Sequence, residues 1–166
     1  RWVNQQHLFN TNDDELMSLI KAQSEIALGL NDEIMKNFIN AYKNRAHTIN
    51  DLVFSCDSLF SDQINYDEAS AKKFLKKEII RPLEDVVDSL KKSDWRQESI
   101  SEALKSVCEK HEIGFGKIGQ PIRIAVTGGT QSPSIDQTLI LLDQETVVDR
   151  IGSAIKYIKE KSNEET

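Results

Sequence analysis

The chain is poor in the residues that define several classes of protein. Among its 166 residues are two cysteines, Cys56 and Cys108, which lie far apart and form no Cys-x-x-Cys pair. This argues against a disulfide scaffold and a zinc ribbon, and it favours a reducing cytoplasm. No apolar run approaches the roughly 20 residues of a membrane helix, so we expect no membrane partner. The formal net charge of -6 argues against a generally basic protein that coats nucleic acid.

The hydrophobic pattern that is present is helical. Hydrophobic residues make up 39% of the chain and charged residues 29%, a balance typical of one globular domain or two small lobes. Apolar residues recur every three or four positions, most clearly over 34–42 and 145–158. Residues 122–126 are β-branched enough for a strand, but they are few and have no partner run. We therefore predict an all-α fold, a helical bundle of two subdomains over 1–65 and 66–166.

Local signals predict several helix boundaries. Ser99 and Glu102 fit a capping box. Three glycines between positions 114 and 119 predict a loop, after which Pro121 begins a helix because proline is tolerated in the first turn. Thr127-Gly128-Gly129-Thr130 superficially resembles a phosphate loop, but it lacks the Lys-Ser/Thr ending, so we interpret it as a helix-terminating turn.

Composition and spacing alone give no catalytic residue and no metal site. The three histidines His7, His47 and His111 are scattered, without a second ligand at metal-binding spacing. Two windows, 34–50 and 113–135, contain no carboxylate although acidic residues outnumber basic ones. Each window could arise by chance, or the pair could provide local contacts for a polyanion. Their basic residues are Lys36, Lys43, Arg45 and His47 in the first, and Lys117 and Arg123 in the second.

The second window carries a resemblance to a known family. The stretch from Gly116 to Gly128, GKIGQPIRIAVTG, followed by Ser132-Pro133, closely resembles the carboxy-terminal anticodon-binding region of bacterial glutamyl-tRNA synthetases. Trp2-Val3-Asn4 resembles the Trp-x-Asn element at which the catalytic body of that family gives way to helices. With no initiating Met, the chain is expected to be a carboxy-terminal fragment. The resemblance implies an all-helical cage of two subdomains.

The resemblance also implies roles for particular residues. Arg45 matches the arginine that recognises the third anticodon base, cytosine in glutamate tRNA and guanine in glutamine tRNA. Arg123 matches an arginine whose planar side chain packs on an anticodon base. Ser132 and Pro133 match a turn that recognises the central uracil, and Ile135 matches an apolar residue that packs against a splayed base. Lys43 and Lys117 are expected to support binding through their charge.

What the resemblance implies for the whole protein is a glutamate-tRNA ligase, which attaches glutamate to tRNA(Glu) in an ATP-dependent reaction of protein biosynthesis. ATP and Mg²⁺ would bind in the catalytic body, whose HIGH-like and KMSKS-like signatures have no counterpart here, so this fragment would bind the anticodon loop and be non-catalytic. The parent is expected to be cytoplasmic and monomeric. A helical protein-interaction module without RNA specificity is the alternative.

Overall fold

The computed structural model of the chain describes residues 11–164. The chain divides into two compact units, Arg1–Gln63 and Ile64–Thr166. The predicted subdomain boundary after residue 65 lies two residues beyond this division, and the assignment of both parts as anticodon-binding subdomains stays a prediction. The Trp-x-Asn element lies outside the described residues.

The described residues form α-helices without any β-strand, which confirms the all-α prediction for them. Unit 1 contains α1 (Asp13–Gln23), α2 (Glu25–Leu28), α3 (Asp32–Tyr42) and α4 (Ile49–Phe60), with a 3₁₀-helix at Lys43–Arg45. Unit 2 contains α5 (Glu68–Phe74), a 3₁₀-helix at Lys77–Ile79, α6 (Ile80–Lys92), α7 (Gln97–His111), α8 (Phe115–Thr127), α9 (Ile135–Ile140) and α10 (Gln144–Glu164). None of these helices is both long and apolar enough to cross a lipid bilayer.

The core of unit 1 is built around Phe38. Its ring stacks on Tyr42 with 4.6 Å between centroids and meets Phe60 edge-on at 5.8 Å. Cys56 is fully buried there, and this burial, together with the neighbouring Asp57, raises the pKa of its thiol to about 12. The thiol is therefore neutral and unreactive in the folded protein.

The core of unit 2 forms where α6, α7, α8, α9 and α10 present their apolar faces to one another. The helical spacing predicted for the last helix is confirmed, since the inward residues of α10 are buried. Those residues are Val147, Ile151, Ala154, Ile155 and Ile158. The Trp95 indole N–H donates to the Leu142 carbonyl at 2.7 Å and so ties the segment before α7 to the end of α9.

Two predicted helix starts are wrong. The capping box at Ser99 does not form, because α7 begins earlier, at Gln97, behind Arg96. The expected glycine loop and the expected start at Pro121 are both replaced by one helix, α8, which begins after Gly114 and contains Pro121. Pro121 leaves the Lys117 carbonyl without its helical N–H donor, and because Lys117 is exposed, water can satisfy that carbonyl.

Candidate nucleic-acid interface

Arg123 is held in a defined orientation between two elements of unit 2. It lies on α8, half-buried, and its Nε donates a hydrogen bond to Oγ of Ser132 at 3.0 Å. Its Nη2 donates to the carbonyl of Pro133 at 3.3 Å. Two donors of the guanidinium thus bind the segment that precedes α9, which fixes the plane of the group. The structure therefore brings together Arg123, Ser132 and Pro133, three of the predicted site residues.

Ser132 supports Arg123 from inside the fold. Ser132 is only 3% exposed, and its hydroxyl donates a hydrogen bond to the Pro133 carbonyl at 3.0 Å. The fully buried Thr138 brings its Oγ1 to 3.2 Å from Ser132 Oγ. In this conformation the hydrogen-bonding capacity of the Ser132 hydroxyl is used by protein groups, and the expected contact of Ser132 with a base stays a prediction.

Two further predicted residues of this segment, Pro133 and Ile135, are also buried. Ile135 is 1% exposed and belongs to the core with Leu139. Its expected packing against a splayed base stays a prediction. The ring of Pro133 is buried, and its carbonyl accepts from Arg123. The exposed residue of this turn is Ser134, at the N-cap of α9. The turn thus supports the site mainly by fixing Arg123.

The carboxyl end of α8 is anchored by Gly128 and Arg150. Gly128 has φ +90°, the left-handed conformation that ends many helices, and its N–H bonds back to the Ile124 carbonyl. Arg150 of α10 donates from Nη1 to the Val126 carbonyl at 2.8 Å. A cation at a helix carboxyl end also interacts favourably with the helix dipole. The predicted helix-terminating turn at Thr127-Gly128-Gly129 is confirmed.

The other predicted cations differ in what surrounds them. Arg45 lies in the 3₁₀-helix Lys43–Arg45, exposed, and forms no hydrogen bond or ion pair with another described residue. Lys43 pairs with Asp13 at 3.1 Å. The folded chain therefore places a carboxylate from a distant part of the sequence beside a basic residue of the first acid-free window. The expectation that Lys43 supports binding through its charge stays a prediction. Lys117 is exposed near the start of α8 and makes no ion pair with the described residues.

One carboxylate of α9, that of Asp136, adjoins this turn. Burial alone would raise the pKa of Asp136, but the hydrogen bonds that it accepts, from Gln97 first, lower the pKa below its ordinary value. Nε2 of Gln97 lies 2.9 Å from Oδ2 of Asp136. The carboxylate is therefore ionised at neutral pH and is held by Gln97 of α7. Its negative charge would repel a polyanion that approached this turn.

Sequence reasoning missed Thr138, Phe115 and Gln120. Thr138 carries no motif, and only its buried position reveals its role. Phe115 begins α8 and is 45% exposed, in a segment expected to be a loop. Gln120, on the same helix, has a buried Oε1 without a hydrogen-bond partner among the described residues. An exposed aromatic residue and an unpaired acceptor therefore share the helix that carries Arg123.

Comparison with known proteins assigns the family. The model of the family described as "Anticodon binding domain" matches residues 12–155, nearly the whole of the described chain. The chain belongs to this family. Membership confirms the resemblance to an anticodon-binding region and indicates a tRNA as the partner.

Two solved structures resemble this anticodon-binding domain in fold. A glutamate tRNA ligase from Elizabethkingia meningosepticum, solved with its amino acid, superposes with a TM-score of 0.82 over 95% of this chain, at 22% identity. A glutamate-tRNA synthetase from Elizabethkingia anophelis gives a TM-score of 0.75 over 93% of this chain, at 23% identity. The chain spans 32% and 30% of those proteins, about a third of their length.

Proposed function

We propose that this anticodon-binding domain is part of a glutamyl-tRNA synthetase and holds the anticodon loop of glutamate tRNA. The observation that carries the proposal is the fixed guanidinium of Arg123, bound by Ser132 and Pro133 on a stretch without carboxylates. The family match supports anticodon binding. The two structural relatives are both named as glutamate ligases, which supports glutamate as the amino acid that the parent protein attaches.

Arg123 suits contact with an unpaired base. A guanidinium is planar and can stack on a base while its edge donors are occupied by protein acceptors. Here Nε and Nη2 are occupied in this way, so little side-chain entropy remains to be lost when a base packs on the group. Stacking of this kind contributes about 1–3 kcal/mol per base.

Arg45 suits discrimination at the third anticodon base. Cytosine presents its ring nitrogen and carbonyl as acceptors, which the donors of a guanidinium engage. Guanine presents N–H donors at the same place, and two donors that face each other away from water lose about 1–3 kcal/mol. The exposure of Arg45 and its lack of a partner among the described residues leave its donors available. Glutamate tRNA is therefore favoured over glutamine tRNA.

The chemical step belongs to the rest of the synthetase. ATP and Mg²⁺ would bind in the catalytic body, where glutamate is joined to the 3′ end of the tRNA through a glutamyl-adenylate. This domain contributes binding energy from a remote part of the substrate, which orients the reacting end. The parent protein acts in the cytoplasm, as a monomer. A protein-interaction module without RNA specificity is not favoured by the family match.

The test is a filter-binding titration of the 166-residue chain with two anticodon stem-loops that differ only in the third anticodon base. The cytosine stem-loop should bind about 5- to 150-fold more tightly than the guanine stem-loop. Its affinity should also fall steeply as salt rises, because phosphate contacts release counterions. Equal binding of both stem-loops would contradict glutamate specificity. No saturable binding at low salt would contradict RNA binding as a whole.

A further inference from the structure

Phe115, Gly119 and Arg123 form one ridge along α8. They follow one another at intervals of four residues, so their positions lie on the same face of the helix. Phe115 is 45% exposed at the amino end of the ridge, and Arg123 is half-buried at the other end. Gly119 between them is buried although it has no side chain. The two outer side chains therefore cover it.

The two side chains converge above Gly119. A Cβ built on Gly119 would lie 3.6 Å from Cδ2 and from Cε2 of Phe115, and 3.7 Å from Nη1 of Arg123. These are its three nearest atoms outside the immediate chain and helix backbone. The aromatic ring and the guanidinium thus both pack over the backbone of Gly119, on the same face of α8.

The two glycines that flank Phe115 lie in open space. A Cβ at Gly114 or Gly116, the neighbours of Phe115, would meet no atom within 4 Å. The next residue after Gly116 is Lys117, which is exposed and has no ion-pair partner among the described residues. Because Phe115 itself is 45% exposed, a flat group can approach the exposed part of its side chain. Lys117, two residues further along the chain, provides a cation for a phosphate.

We propose that Phe115 provides a second stacking surface for an unpaired nucleobase of the same RNA, next to the base that packs on Arg123. The inference rests on the proposed function and extends it to a residue outside the predicted site. An exposed benzene ring beside a guanidinium offers two adjacent planar surfaces, and successive unpaired bases stack on such surfaces whatever their identity. Phe115 therefore increases the affinity for the RNA without distinguishing between bases, whereas Arg45 distinguishes cytosine from guanine.

The first test compares stem-loop affinities of the 166-residue chain with Phe115→Ala and Phe115→Tyr. Phe115→Ala should weaken binding about tenfold, equally for cytosine and guanine at the third anticodon position, and Phe115→Tyr should stay within twofold. Phe54→Ala is the matched control, since Phe54 is 74% exposed on α4 of unit 1. It should leave affinity unchanged. Circular dichroism should show that all three variants fold, because neither Phe115 nor Phe54 belongs to the buried core.

The second test uses the fluorescence of Phe115→Trp. Compared with the unmodified chain, which contains Trp2 and Trp95, this variant should show additional quenching by the stem-loop, and the additional quenching should be lost with a stem-loop whose loop nucleotides are abasic. Unchanged affinity in Phe115→Ala, or equal quenching by the abasic stem-loop, would overturn the proposal for Phe115. If Arg123→Ala still weakens binding in that case, anticodon binding stands. If neither Arg123→Ala nor Phe115→Ala weakens binding, the proposed function fails as well.

Discussion

Nε of Arg123 donates a hydrogen bond to Oγ of Ser132, 3.0 Å away across the gap between α8 and the turn before α9. The contact makes the buried serine an acceptor for the guanidinium that we propose to contact RNA. Because Ser132 is 3% exposed, we expect any effect of Ser132 on the proposed RNA binding to pass through the orientation of Arg123. In this structure Ser132, which the resemblance assigns to base recognition, holds the guanidinium of Arg123.

Ser132→Ala tests this relationship. The change removes the acceptor of Nε and leaves a partly buried donor unpaired, so the free energy of unfolding should fall by about 1 kcal/mol. Stem-loop affinity should fall severalfold because the guanidinium plane is less fixed. Gln131→Ala, an exposed change at the residue before Ser132, should alter neither quantity. Urea titration and filter binding measure the two effects. An affinity loss in Gln131→Ala as large as in Ser132→Ala would argue against positioning by Ser132.

Arg45→Gln should relax discrimination at the third anticodon base. A glutamine amide offers both an acceptor and donors, so the donor-to-donor conflict with guanine disappears. The ratio of affinities for the cytosine and guanine stem-loops should approach one. Lys36→Gln is the matched control, since Lys36 is an exposed cation of the same unit and its loss removes the same charge. It should weaken both stem-loops equally and preserve the ratio. An unchanged ratio in Arg45→Gln would contradict the assigned role.

The pattern of α3 was predictable because its apolar residues Phe38, Ile39 and Tyr42 are all buried, as their spacing predicts. The start of α8 was not predictable in this way. Glycines and Pro121 locally disfavour a helix, but burial of Ile118, Ile122 and Ala125 stabilises helix across them. In the segment that carries Arg123, tertiary packing therefore outweighs the local preference of glycine and proline against a helix.

The site itself was predictable only in part. A stretch that resembles a known family draws attention to Arg123 and Ser132, but it does not say which of these side chains is exposed. The role of Thr138 depends on a 3.2 Å contact with Ser132 that no local pattern encodes. The pairing of Lys43 with Asp13, 30 residues apart, likewise depends on the packing of unit 1. An ion pair that tertiary packing forms between distant residues cannot be predicted from a short window of the sequence.

Gly128→Ala should destabilise the protein strongly. The residue has φ +90°, and its Cβ would lie 2.2 Å from the backbone carbonyl oxygen of Asn65, so strain and a backbone clash combine. We expect a loss of at least about 2 kcal/mol in the free energy of unfolding. Gly129→Ala is the matched control, because a Cβ there would meet no atom within 4 Å. Equal stability of the two variants in urea would contradict this account of the turn.

Asp143 should make the stability of unit 2 sensitive to acid. It directly precedes α10, and its Oδ1 accepts from the Thr146 N–H at 2.7 Å, the position of a helix N-cap. That hydrogen bond, with further contributions from the Thr146 side chain and Arg150, lowers the pKa of Asp143. A lowered folded pKa means that the stabilisation is complete above the unfolded value, near 3.9, and is lost as pH falls through the folded value.

Asp143→Ala should therefore cost about 1 kcal/mol of unfolding free energy at pH 7, the usual effect of losing an N-cap. The difference from the unmodified chain should shrink as the pH falls below about 4, because protonation then weakens the cap in the unmodified chain as well. Asp149→Ala, at an exposed carboxylate further along α10, should change stability by no more than about 0.5 kcal/mol. Urea titrations of the three chains at pH 7 and pH 3 measure this. A cost that stays constant between these pH values would show that the carboxylate charge is not what stabilises the start of α10.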